Sequence, residues 1–176
     1  DILVAGVVRL AQLSPSRAYQ TFRSVREDAA FTDVHLETVT SAIARHSVFA
    51  ERSPAPSEWV DAQVAALRDD DLTVIWLRKA IGNGQWRAVL DGIDWLSSDL
   101  RSQDRWRYWS VRSLESLGKQ ETQLLWEKLA TERSFHGFLA ADRLSRDYQL
   151  NAVLPATPLP SFAAPVRLGV GRAQEL

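Results

Sequence analysis

Apolar residues return every three or four positions through most of the first 150 residues, and the rhythm breaks only at clusters of Pro, Gly and Ser. Residues 1–12 carry Leu3, Val7 and Leu10 at helical spacing. Ser14-Pro15 then supplies an N-cap followed by a ring suited to the first helical position. The helix that starts there buries Ala18, Phe22 and Val25, and after a short break Leu36, Val39 and Ile43 predict a third of the same kind. Residues 53–57, Ser-Pro-Ala-Pro-Ser, form the first strong interruption, and Ser57 can cap the next helix. There Trp59, Ala62 and Ala66 lie on one side and Val60, Val64 and Leu67 on another, which predicts a helix buried on two faces.

Residues 72–81 form a further apolar segment that stops at Gly82-Asn83-Gly84, and residues 85–96 restart with Trp86, Val89, Leu90 and Ile93. The order recurs with residues 105–117, then Gly118, then residues 119–133. On the first of these helices Trp106, Trp109, Ser110, Ser113, Leu114 and Leu117 share one side, while Glu115 projects from the other with Arg112 and Arg105 near it. Thr122, Leu125, Trp126 and Leu129 make the stripe of the next, and Gly137, Ala140, Ala141 and Leu144 that of a third. The turn glycines Gly84 and Gly118 are 34 residues apart, the length of a tetratricopeptide repeat. The fold class expected is therefore all-α: an α-solenoid or superhelix of short antiparallel helices, tetratricopeptide-like, over residues 1–150. From Asn151 four of the seven prolines fall close together, so residues 151–165 read as an extended connector and residues 166–176 as the start of another helix.

Composition narrows the function classes. Lys and Arg total 21 against 22 Asp and Glu, so a net charge of -1 gives no reason to expect nucleic acid or an anionic membrane as partner. No apolar run is long enough to make a transmembrane helix. Without Cys there is no disulfide framework, thiolate metal site or thiol nucleophile. His35, His46 and His136 are too scattered for a metal motif, and Asp69-Asp70-Asp71 lacks calcium-loop spacing and reads as a solvated helix N-terminus. Gly82-Asn83-Gly84 and Gly169-Val170-Gly171 follow no strand and read as turns, not phosphate loops. Neither a metal nor a cofactor is expected. Beginning at Asp1 without an initiator Met, the chain reads as a processed or trimmed product.

Seven tryptophans lie between Trp59 and Trp126. Trp106, Trp109 and Trp126 fall on buried stripes, whereas Trp86 and Trp95 remain candidates for stacking on a sugar or a partner. Arg105 and Arg112 are candidates to contact an anionic ligand, against the plainer reading of a solvated basic face.

Three stretches carry a family resemblance: residues 80–84, Ala-Ile-Gly-Asn-Gly; residues 105–109, Arg-Trp-Arg-Tyr-Trp; and Phe135 with Gly137, Ala140, Ala141, Arg143 and Leu144. Together residues 72–150 resemble the end of the helical superhelix of soluble lytic murein transglycosylases, with Val8-Arg9-Leu10-Ala11 and Ser14-Pro15 a looser match to preceding helices. The chain departs from the family at residues 96–101, where Met-Pro is frequent, and at His136, where Tyr is common. The resemblance implies a periplasmic enzyme whose helical ring or horseshoe leads through a linker to a separate lysozyme-like domain. There a Glu followed by Ser would cleave the MurNAc–GlcNAc bond to a 1,6-anhydromuramic product. The implied partners are peptidoglycan glycan strands, bound by the full-length enzyme, and other cell-wall proteins. Glu115-Ser116 is the chain's one Glu-Ser pair, and it lacks the Gly-rich sequel of the catalytic motif. No catalytic residue is therefore expected in these 176 residues, and the helical part is expected to shape substrate access. The alternative is a free-standing tetratricopeptide-like scaffold that binds a protein.

Overall fold

A computed structural model describes residues 2–27, 30–50 and 55–150, and the expected connector at 151–165 and helix start at 166–176 lie outside them. The described residues form ten helices and no strand: α1 (Ile2–Leu13), α2 (Pro15–Val25), α3 (Asp33–Ser47), α4 (Ser57–Leu67), α5 (Asp70–Gly82), α6 (Trp86–Trp95), α7 (Ser98–Arg101), α8 (Asp104–Ser116), α9 (Thr122–Leu129) and α10 (Phe135–Arg143). Helices pack on their neighbours in sequence, with α6 reaching past the short α7 to α8, and also on the next but one, α1 on α3, α3 on α5 and α8 on α10. Such short-range order is that of a solenoid, in which each unit buries its apolar stripe only against adjacent units.

Local chemistry sets the helix ends. Ser14 accepts from the Arg17 amide with Pro15 in the first turn, and Thr32 and His35 cap α3 reciprocally. At the other end α5 and α8 stop identically. The Gly84 and Gly118 amides donate to Ile81 and Glu115, and the next amides, Gln85 and Lys119, reach back to Ala80 and Leu114. Both glycines have positive φ, 65° and 74°, which a side chain would strain. The end of α10 has the same pair of bonds, Ser145 to Asp142 and Arg146 to Ala141, but with Ser145 at φ 52° in the glycine's place.

Buried apolar residues fall into two clusters. The larger runs from Val7 on α1 to Trp106 on α8 and includes Phe22, Ile43, Leu72, Leu77 and Val89. Within it α5 and α6 approach so closely that a Cβ at Gly92 would lie 2.6 Å from the Trp76 ring. The smaller cluster holds Val111, Trp126, Leu129, Ala130, Ala140 and Ala141, flanked by Tyr108 and Leu144. Helix α8 thus serves both, presenting Trp106 and Trp109 to the first and Tyr108 and Val111 to the second.

Several expectations need correction. Ala62 and Ala66 are exposed while Val60 and Val64 are buried, so α4 buries one face; Trp59 is only partly covered, beside Tyr19. Leu117 and Leu125, expected on buried stripes, are 40% and 42% exposed, and residues 119–121 lie outside the helix that was expected over 119–133. Helix α9 is correspondingly shorter, closing where the Thr131 hydroxyl donates to the Lys128 carbonyl and Ser134 begins α10 by accepting from Gly137. The short α7, capped by Ser97, was not legible in the periodicity. The aspartate triplet is more than a solvated terminus: Asp69 caps α5, and Asp70 accepts from both the amide and the hydroxyl of Ser97, tying α5 to α7.

Candidate functional site

The candidate residues Trp86 and Arg112 come together across α6 and α8, with the guanidinium carbon 6.0 Å from the indole centroid, inside the range of a cation–π contact. Arg112 also lies 3.3 Å from Glu115, one turn along α8. Glu115 receives a second guanidinium from α10: Arg143 donates through Nε at 3.1 Å and through Nη2 to the other carboxylate oxygen. Arg143 in turn sits 5.4 Å from the Trp126 ring on α9. A continuous line, Trp86–Arg112–Glu115–Arg143–Trp126, therefore crosses four helices.

The charge state of Glu115 follows from this geometry. Partial burial alone would raise its pKa, but the hydrogen bonds and positive charges of Arg143 and Arg112 outweigh that and hold it below the usual carboxylate value. A general acid for glycoside cleavage needs the opposite, a carboxyl kept protonated near neutral pH. Glu115 therefore acts as an anionic clasp between helices.

Arg105 lies elsewhere. Its guanidinium is 5.2 Å from the Trp106 ring, and ten residues of helix, roughly 15 Å, separate it from Glu115, so the expected proximity of those two is not found. Its neighbour in charge is His136, whose pKa is lowered by burial and by Arg105, with Asp104 opposing. His136 packs against Tyr108 and Phe135 at ring distances of 5.5 and 5.2 Å. Trp95 is half-buried at 5.0 Å from Trp76, whose indole N–H donates to Asp61 at 2.6 Å, so it belongs to the α4–α5–α6 packing. Gly82-Asn83-Gly84 is a helix stop, and Gly169-Val170-Gly171 lies outside the described residues. Among the described residues no three His, Asp or Glu side chains are grouped to hold a metal, and no helix is long and apolar enough to cross a membrane.

Sequence spacing could find the Arg112–Glu115 pair, three apart on one helix, but not the part played by Arg143, 28 residues on from Glu115. Only the packing of α8 on α10 brings those two together.

No family model matches the chain. Among known proteins, a putative soluble lytic murein transglycosylase of Haemophilus influenzae is 35% identical over 101 residues, 57% of this chain and 16% of that protein. The soluble lytic murein transglycosylase of Escherichia coli is 26% identical over 95 residues, 53% of this chain and 15% of that protein. The matches thus span only a small part of either relative's length. The X-ray structure of an inactive mutant of lytic transglycosylase Slt from Pseudomonas aeruginosa matches with a TM-score of 0.72 and 29% identity, over 85% of this chain and 24% of that one. The 70 kDa soluble lytic transglycosylase of Escherichia coli matches with a TM-score of 0.74 over 88% of this chain and 25% of that one, where 19% identity speaks for the fold alone. In sequence over about half its length, and in fold over most of it, the chain is similar to the helical region of the soluble lytic murein transglycosylases.

Proposed function

We propose that this chain is the noncatalytic helical portion of a periplasmic peptidoglycan lytic transglycosylase, in which cleavage belongs to a separate lysozyme-like domain and the helices shape the approach of the glycan strand. The observation that carries the reading is the similarity in both sequence and fold to lytic transglycosylases, in a chain whose single Glu-Ser pair is engaged between two arginines. Trp86 with Arg112 is the pair best suited to touch substrate. The indole offers an aromatic face and the guanidinium a positive charge for the acidic stem peptides of peptidoglycan. Arg105 and Trp95 are weaker contact candidates, the first turned toward His136 and the second occupied by Trp76.

Zymography in peptidoglycan-containing gels tests the reading. The chain alone is expected to leave the gel uncleared, while it co-sediments with purified sacculi and does so less when Trp86→Ala and Arg112→Ala are combined. Clearing that disappears in Glu115→Gln would place catalysis here and refute the proposal. Absence of any sacculus binding would favour the free-standing scaffold.

A further inference from the structure

Beside α8 and α9 the surface carries two concavities that share a wall. One, about 300 Å³ in volume, lies among α6, α8 and α9 and is lined chiefly by Ile93, Trp106, Val111, Leu114, Leu125 and Leu129. The other, about 650 Å³, follows the turn from Lys119 to Leu125 and includes Leu114. Leu114 and Leu125 line both, so the two make one continuous apolar groove. Two of the leucines that line it are unusually bare: Leu124 and Leu125 are 75% and 42% exposed. Isolated exposed leucines are ordinary, but adjacent ones lining an apolar groove form a patch of the kind that marks an interaction surface.

Charge indicates what fits there. Of the cations lining the groove, Arg101 faces Asp94 at 3.9 Å, and Arg107 is held by Asp104 at 3.1 Å and Glu132 at 3.2 Å. Lys119 and Lys128 have no ion-pair partner among the described residues, and neither has Glu121, which leaves the lining with two unpaired positive charges against one negative. Lys128 lies in the last turn of α9 and Lys119 three residues before its start, on either side of Leu124 and Leu125 in sequence. Carboxylates towards the two ends of a facing helix would meet them, while residues at i, i+3, i+4 and i+7 would cover the leucines.

We propose that this groove binds a short amphipathic helix with acidic flanks, presented by a protein partner, whose apolar stripe seats on Leu114, Leu124 and Leu125 and whose carboxylates pair with Lys119 and Lys128. Apolar burial supplies the affinity, and the two lysines select against basic or neutral helices.

The test uses the whole chain and a fluorescein-labelled helical peptide of about fifteen residues, with leucines on one stripe and glutamates on its flanks. A control peptide has every flanking glutamate replaced by lysine. Fluorescence anisotropy is expected to show the acidic peptide binding at least about tenfold more tightly than the basic one, with affinity falling as salt is raised. Lys119→Glu combined with Lys128→Glu should reverse the preference. Leu124→Asp combined with Leu125→Asp should abolish binding while leaving the circular dichroism spectrum unchanged, both positions being exposed. Equal binding of the two peptides, binding that survives the leucine substitutions, or binding by neither peptide would overturn the proposal. So would sedimentation showing self-association that the leucine substitutions abolish, because the groove's occupant would then be a second copy.

Discussion

Around α1 to α6 the buried side chains are many and large, Phe22, Ile43, Leu72, Leu77 and Val89 among them, whereas around α9 and α10 Trp126 and Leu129 stand beside Val111 and three alanines. The second region supplements its apolar contacts with charge. Arg143 lies over Trp126, Glu115 joins Arg143 to Arg112, Arg107 bridges Asp104 and Glu132, and Arg146 reaches Glu127 at 3.0 Å. Partly exposed ion pairs contribute little each, so the carboxyl-terminal helices are expected to be the less stable part of a linear array. Small residues allow the close packing that these helices do have. A Cβ at Gly137 would lie 2.1 Å from the Glu132 carbonyl oxygen, and Ala140 and Ala141 are fully buried.

The strongest way to break this comparison is to hollow out the larger cluster where it meets α8. Trp106 is 1% exposed there, and Trp106→Ala should cost about 3–5 kcal/mol in urea denaturation, borne chiefly by the helices upstream of α8. Gly137→Ala should come next, at about 1–3 kcal/mol, because backbone rather than a movable side chain stands in the way. Its effect should be confined to α9 and α10, so hydrogen exchange there should quicken while that of α1–α6 stays as it was.

Acid sharpens the contrast from the electrostatic side. The folded-state pKa of Glu115 lies below its usual 4.5, so its contribution is present above that value and is lost as pH falls through the lower folded-state pKa. At neutral pH Glu115→Gln should destabilise α8–α10 by at most about 1 kcal/mol. The difference from the native chain should be full above pH 4.5 and shrink as pH falls below it through the lower folded-state pKa. A difference that does not shrink with acid would mean that Glu115 matters for shape and not for charge.

The smallest effects are expected at the turns. Gly118→Ala, at φ 74°, should cost about 1 kcal/mol, while Ser145→Gly, at φ 52°, should gain about 0.5 kcal/mol, and paired thermal melts would show the two changes in opposite directions.

Most of the helices were legible because each depends on nearby residues: Ser14-Pro15 starts α2, Gly84 and Gly118 stop α5 and α8, and Trp106 and Trp126 mark buried stripes that the structure keeps. The failures occurred where a long-range contact overrides the local pattern. Short α7 is fixed by Asp70, 27 residues before Ser97, and Leu125, on the apolar stripe of α9, is left 42% exposed because no described helix covers it. The candidate pair Trp86 and Arg112 was recognisable one residue at a time, but its extension through Glu115 to Arg143 was not, since no periodicity relates α8 to α10.

Helix α8, with indoles turned one way and Tyr108 and Val111 the other, has a mechanical consequence. Tension applied through Leu150 would reach α10 and α9 first, and the ion pairs and small alanine contacts there are expected to part before the larger buried side chains upstream of α8 feel the load. The carboxyl-terminal pair would yield as a shock absorber, leaving the upstream helices intact as an anchor.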